Sequence, residues 1–188
     1  MKTKKVLLAL PTVLFPYLVL LAPITILFSA KAPVFTFIME KLFFGNVWIM
    51  VAALLMLGLI AAVLDLICVY LSIRQKWSAL SVAKTAMIVK LCQIPAFIAI
   101  FVLGVLLTIT IFTIPFTIAL FLFDCVTLFL SGILTAAAII NAFRDGHLSR
   151  KEAFLCVVSQ FIFCIDIIGT VVLFCKLKKV SSKIGDIS

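Results

Sequence analysis

A chain of 188 residues that is 66% hydrophobic, with a mean hydropathy of +1.40, carries more apolar side chain than a soluble domain of that size can bury. Composition therefore points away from a water-soluble enzyme and toward an integral membrane protein with nothing left over for a separate catalytic module. The formal charge of +9 does not imply a nucleic-acid partner, because the basic residues flank apolar runs, where cytoplasmic anchoring and anionic lipids account for them.

Lys2, Lys4 and Lys5 lead into an apolar run that ends at Ala30 and holds Pro11, Pro16 and Pro23. A basic start before an apolar run suits a signal peptide, but a signal core is ~7–15 residues and this run is about 25, long enough to span a bilayer. A retained first helix over 6–30, bent by its prolines, is expected. Residues 31–46 follow as a mixed stretch in which Val34, Phe35, Phe37, Ile38, Leu42 and Phe43 recur at near-helical spacing, the pattern of an amphipathic segment lying in the interface. Trp48, placed as an aromatic-belt residue, opens a second helix over 47–73, where Gly58 and Ala62 form a small pair that permits close helix approach.

After the connection marked by Arg74, Lys76, Trp77 and Lys84, residues 85–143 carry only two formal charges, Lys90 and Asp124. They are interrupted by Pro95 and Pro115, and they read as a hairpin of helices over 85–112 and 116–143 joined at Thr113-Ile114-Pro115. Gly132 with Ala136 and Ala138 with Ala142 give the second arm small faces. Gly146 is placed to stop that arm, and Ser149-Arg150-Lys151-Glu152 matches a capping box for the next helix. The apolar residues 153–175 are numerous enough to span, and the basic tail Lys176, Lys178, Lys179 and Lys183 closes the chain. The expected fold is all-α, a single integral membrane domain over 1–188: a polytopic transmembrane bundle of about five helices, or four if the last segment is re-entrant.

With the N-terminus cytoplasmic and five crossings, nine basic residues fall inside and six outside, the tail supplying four of the six. If the last segment turns back, the division becomes thirteen against two, a stronger asymmetry of the kind that sets topology. Five crossings remain the expectation, because a segment of that length spans and re-entrant segments are rarer.

Ionisable groups inside a membrane are expensive, so they are the default functional candidates. Asp65 and Lys90 lie about 9–14 Å from the same connection, at ~1.5 Å of rise per residue, which makes them a candidate intramembrane pair, with Gln93 one turn beyond. Asp124 and Asp166, with Gln160, form a candidate proton or ligand site, since neither aspartate has an evident basic partner. Cys68, Cys92, Cys125, Cys156, Cys164 and Cys175 lack metal or redox spacing and read as small buried apolar residues. No zinc-protease, nucleophile-elbow, phosphate-loop or dinucleotide motif occurs, so neither catalytic residues nor a cofactor or metal are expected.

Two stretches, Met87-Ile88-Val89-Lys90-Leu91-Cys92-Gln93-Ile94-Pro95-Ala96-Phe97 and Gln160-Phe161-Ile162-Phe163-Cys164-Ile165-Asp166 with its preceding capping box, carry a resemblance. The chain resembles an uncharacterised family of small multi-pass membrane proteins of Gram-positive, clostridia-like bacteria. The resemblance implies that Lys90, Pro95, Gln160 and Asp166 belong to a recurring pattern and that the membrane is a bacterial plasma membrane; no activity comes with it. The expected function is that of a non-enzymatic accessory protein whose small-residue faces bind a membrane-protein partner or a second copy, with anionic lipid at its basic loops. The alternative is a small proton- or cation-coupled transporter, or a substrate-binding transporter subunit, using the intramembrane carboxylates.

Overall fold

The computed structural model describes residues 2–28, 32–109, 114–162 and 165–185; Ser29, Ala30, Lys31, Thr113 and Cys164 lie outside them. The first helix, α1, runs over Lys2–Phe28 with three prolines inside it. A short α2, Pro33–Phe37, continues into a π-helical turn at Ile38–Leu42 and ends where Phe44 and Gly45 take φ of 51° and 69°. Outward-facing Val34, Phe37, Leu42 and Phe44 give this segment the apolar surface expected of an interfacial stretch.

Asn46 caps the next helix, α3 (Val47–Arg74), by accepting from the Trp48 amide at 2.8 Å. The following helix, α4 (Ala79–Thr108), begins six residues before the expected start at 85, because Ser78 supplies an N-cap that accepts from the Ser81 amide. Its partner α5 covers Ile114–Arg144. These two helices and α3 are, with the 8–26 portion of α1, long and apolar enough to cross a membrane. They pack in the cyclic order α1, α3, α5, α4.

The last segment departs from the expected single helix over 153–175. It consists of two helices, α6 (Arg150–Ser159, 10 residues) and α7 (Ile165–Gly185, 21 residues). At 1.5 Å per residue α6 is about 15 Å long, half of a hydrocarbon core of ~30 Å. The two helices run antiparallel. At one end Glu152 of α6 pairs with Lys176 of α7, and at the other Gln160 accepts a hydrogen bond from Thr170 at 3.2 Å. Close contact near the tip depends on Gly169, where a Cβ would lie 2.6 Å from Ser159 Oγ. The capping box opens α6 as expected. Hydrogen bonds from Lys176 and from the Ser149 amide hold the Glu152 carboxyl down to about 2.

Two apolar cores lie on either side of a polar layer. One, nearer the Arg74 and Arg144 connections, gathers Trp77, Ala83, Ala86, Leu134, Ala138 and Leu173; the other, toward the opposite end, gathers Phe15, Val19, Ala61, Ile100, Leu120 and Leu130. The small-residue faces expected to meet a partner are largely used inside the chain. Gly58 admits the Phe15 ring, which a Cβ would approach to 3.1 Å; Gly132 lies against Gln160; Ala138 and Ala142 are fully buried. Gly58→Ala is accordingly expected to destabilise the bundle by about 1–3 kcal/mol, the usual range for overpacking, read as a lower midpoint in detergent thermal unfolding.

Candidate functional site

The polar layer starts from prolines. Pro16 has no amide hydrogen, so the Thr12 carbonyl four residues earlier has no intrahelical donor. Gln93 Nε2, from α4, donates to that carbonyl at 2.8 Å. The converse contact runs from Tyr17 Oη to the carbonyl of Cys92 at 2.6 Å, in the turn that precedes Pro95. Helices α1 and α4 are therefore joined by side chains that reach each other's backbone carbonyls, and at Pro16 this supplies the donor that the helix lacks, as membrane helices require. Thr12 also donates its hydroxyl to Asp65 Oδ2 at 2.7 Å, bringing in α3. Asp65, Thr12 and Gln93 are fully buried, and Asp65 Oδ1 and Gln93 Oε1 have no hydrogen-bond partner among the described residues.

Lys90 does not pair with Asp65. Its Nζ lies 2.6 Å from Asp166 Oδ2, both side chains being almost completely buried. The depth inferred for Asp65 and Lys90 fits the shared layer, since Gln93, one turn from Lys90, reaches the same Thr12 that holds Asp65. The partner differs because α7 packs against α4. A buried ion pair must recover a large desolvation cost through tight geometry, and removing one member leaves an uncompensated charge. Here it fastens the hairpin to the bundle. Thr170 adds a second tie, lying 2.8 Å from the Asp166 carbonyl while bonded to Gln160, which itself donates to the Cys156 carbonyl at 3.1 Å.

Of the expected Asp124, Asp166 and Gln160 group, the structure brings together Asp166 and Gln160 and leaves Asp124 apart. On α5, Asp124 is eight residues from Gly132, the residue that faces Gln160, or about 12 Å along the axis. It lines a groove between α4 and α5 with Gly104, Thr117 and Phe121, and its Oδ1 has no partner among the described residues. The cysteines also differ from expectation: of the five described, only Cys68 is buried, while Cys92, Cys125 and Cys175 face outward.

A sequence profile of a family of unknown function matches residues 2–179. The chain belongs to that family, DUF6652. No curated protein and no solved structure matches it. The DUF6652 match takes in the clamp formed by Lys90 and Asp166, the proline-linked layer and the groove at Asp124, whereas the resemblance seen in the sequence rested on the later half alone.

Sequence reasoning did not single out Thr12, Ser72, Asn141 or Thr170. Asn141 Nδ2 donates to Ser72 Oγ at 2.6 Å, and Arg144 to the Ile73 carbonyl at 3.1 Å, tying the ends of α5 and α3. Thr12 carried a readable signal, being four residues before a helical proline and so the owner of a carbonyl in need of a donor. Asn141 carried a weaker one, as the only amide side chain in the apolar part of α5.

Proposed function

We propose that this DUF6652 chain is a non-enzymatic, multi-pass protein of a bacterial plasma membrane that crosses four times, inserts a fifth, re-entrant hairpin, and works by binding other membrane components. The observation that carries the reading is the buried pair of Lys90 with Asp166. It consumes the only cation of the bundle interior in fastening α7 to α4, among the described residues, so this polar contact is architectural. The antiparallel α6 and α7 support a cytoplasmic tail: thirteen basic residues then lie on the cytoplasmic side, against Lys31 and Lys41 on the other. The basic residues of the tail and of the 144–151 connection would meet anionic lipid there. A partner or second copy would bind on the outward faces, since the small-residue faces are occupied within the chain.

A reporter fused after Ser188 is expected to be active in the cytoplasm, and a cysteine introduced at Phe44 to react with an impermeant reagent from outside. An external reporter would remove the four-crossing arrangement. For the accessory role, the tagged chain in mild detergent is expected to run above its own 20.7 kDa once bound detergent is subtracted, and to cross-link from outward positions of α3 or α4 to one defined neighbour. A lone monomer with no cross-linked neighbour would overturn it. The transport reading keeps one specific support, Asp124, whose Oδ1 has no hydrogen-bond partner among the described residues.

A further inference from the structure

Of the clefts among the described residues, the one between α1, α3 and α5 has about 270 Å³ and is lined by residues such as Pro23, Leu54, Phe116 and Phe123, with no charged side chain to select a ligand. The groove between α4 and α5 is different. It has a volume of about 350 Å³, and Asp124 lies at its wall, 8% exposed, with an oxygen that no described residue satisfies. Asp124 is ten residues from the start of α5, about 15 Å, which is near the middle of a ~30 Å hydrocarbon core.

The nearby hydroxyls of the described residues Thr108, Thr117 and Thr127 are committed to backbone carbonyls. Thr108 donates to the Gly104 carbonyl at 2.8 Å, Thr117 reaches the same carbonyl at 3.5 Å, and Thr127 donates to the Phe123 carbonyl one turn back. No described residue supplies a donor to that carboxyl oxygen, which leaves it able to meet a bound cation. The groove also gives that charge an aromatic setting, because Phe101 and Phe121 line it and ring faces attract cations. Gly104 keeps its floor open: a Cβ there would meet nothing nearer than a Thr117 methyl at 3.9 Å.

We propose that this groove binds a lipophilic organic cation, a quaternary ammonium or phosphonium, with Asp124 as the counter-ion. The volume lies within the range of small-ligand pockets. Phe101 and Phe121, 72% and 63% exposed, line the groove and suit a compact cationic head better than a helix laid flat across it. A ligand of this kind reaches the site from the lipid phase, so it needs no aqueous path.

The full chain in lipid nanodiscs is tested with radiolabelled tetraphenylphosphonium. Saturable binding is expected, displaced by decyltrimethylammonium and not by decanol. Asp124→Asn, nearly isosteric, is expected to weaken binding at least tenfold while keeping the unfolding midpoint of the parent. Gly104→Leu, which fills the floor and leaves the carboxyl in place, is expected to weaken it similarly, and it carries the test if Asp124→Asn does not fold. Leu59→Ala, on the outward side of α3, is expected to bind as the parent does. Binding no greater than to empty nanodiscs, displacement by decanol as readily as by the cation, or undiminished binding in the folded Asp124 or Gly104 variant overturns the proposal.

Discussion

Replacing Lys90 with Met is expected to destabilise the protein by about 3–5 kcal/mol, the cost of leaving one member of a buried ion pair without its partner. Asp166 would then be a carboxylate at 2% exposure whose side chain has lost its bond to Nζ. The double variant Lys90→Met with Asp166→Leu is expected to recover most of the loss, because two apolar side chains of similar size remove the charge and its desolvation together. The two outcomes separate an electrostatic clamp from mere packing, in which the double variant would be at least as damaging as the single one. Thermal unfolding in a fixed detergent reads the energetics. Reactivity of outward-facing Cys175 on α7 reads the structure: it is expected to change in the single variant, where the hairpin detaches, and to return toward the parent in the double. A single variant as stable as the parent would show that the hairpin is held by its apolar contacts alone.

The sequence made depth legible and left direction around each helix axis hidden. Counting residues from the Arg74 and Lys84 connection put Asp65 and Lys90 in one layer, and both belong to it. It did not reveal that Asp65 faces Thr12 of α1 while Lys90 faces α7, since facing depends on helix order and the order α1, α3, α5, α4 is a tertiary outcome. The break in the last segment was hidden for a different reason. Phe161-Ile162-Phe163-Cys164-Ile165 contains neither glycine nor proline, so no local breaker marks a turn there. Two indirect signals existed: Gly169, which lets Ser159 approach, and a basic tail that made five crossings electrostatically awkward. The capping box of Ser149 and Glu152 was readable because all its partners lie within four consecutive residues. Asp124 was legible as an intramembrane carboxyl with no evident basic partner, but the groove beside it depends on the spacing of α4 from α5 around Gly104, which no local pattern encodes.

The link between α1 and α4 permits a sharper test than any single substitution. Gln93→Leu is expected to cost about 1–3 kcal/mol, because it strips the donor from a buried carbonyl that Pro16 has already deprived of its intrahelical bond. Pro16→Ala restores an amide hydrogen at position 16, able to reach the Thr12 carbonyl through the ordinary i to i−4 bond. In that background Gln93→Leu is expected to cost under about 1 kcal/mol, so the pair should show a coupling within the ~0.5–3 kcal/mol typical of residues that share a partner. The effect of Pro16→Ala alone can have either sign, since it both adds a bond and straightens α1; the cycle cancels it. Additive losses would mean that Gln93 contributes by filling space, whereas coupling would mean that a proline in one helix and an amide in its neighbour act as a single structural unit. If they do, the polar layer has a physical order: Pro16 frees the Thr12 carbonyl, Gln93 fixes α4 against it, and the next turn of α4 presents Lys90 to the hairpin that carries Asp166.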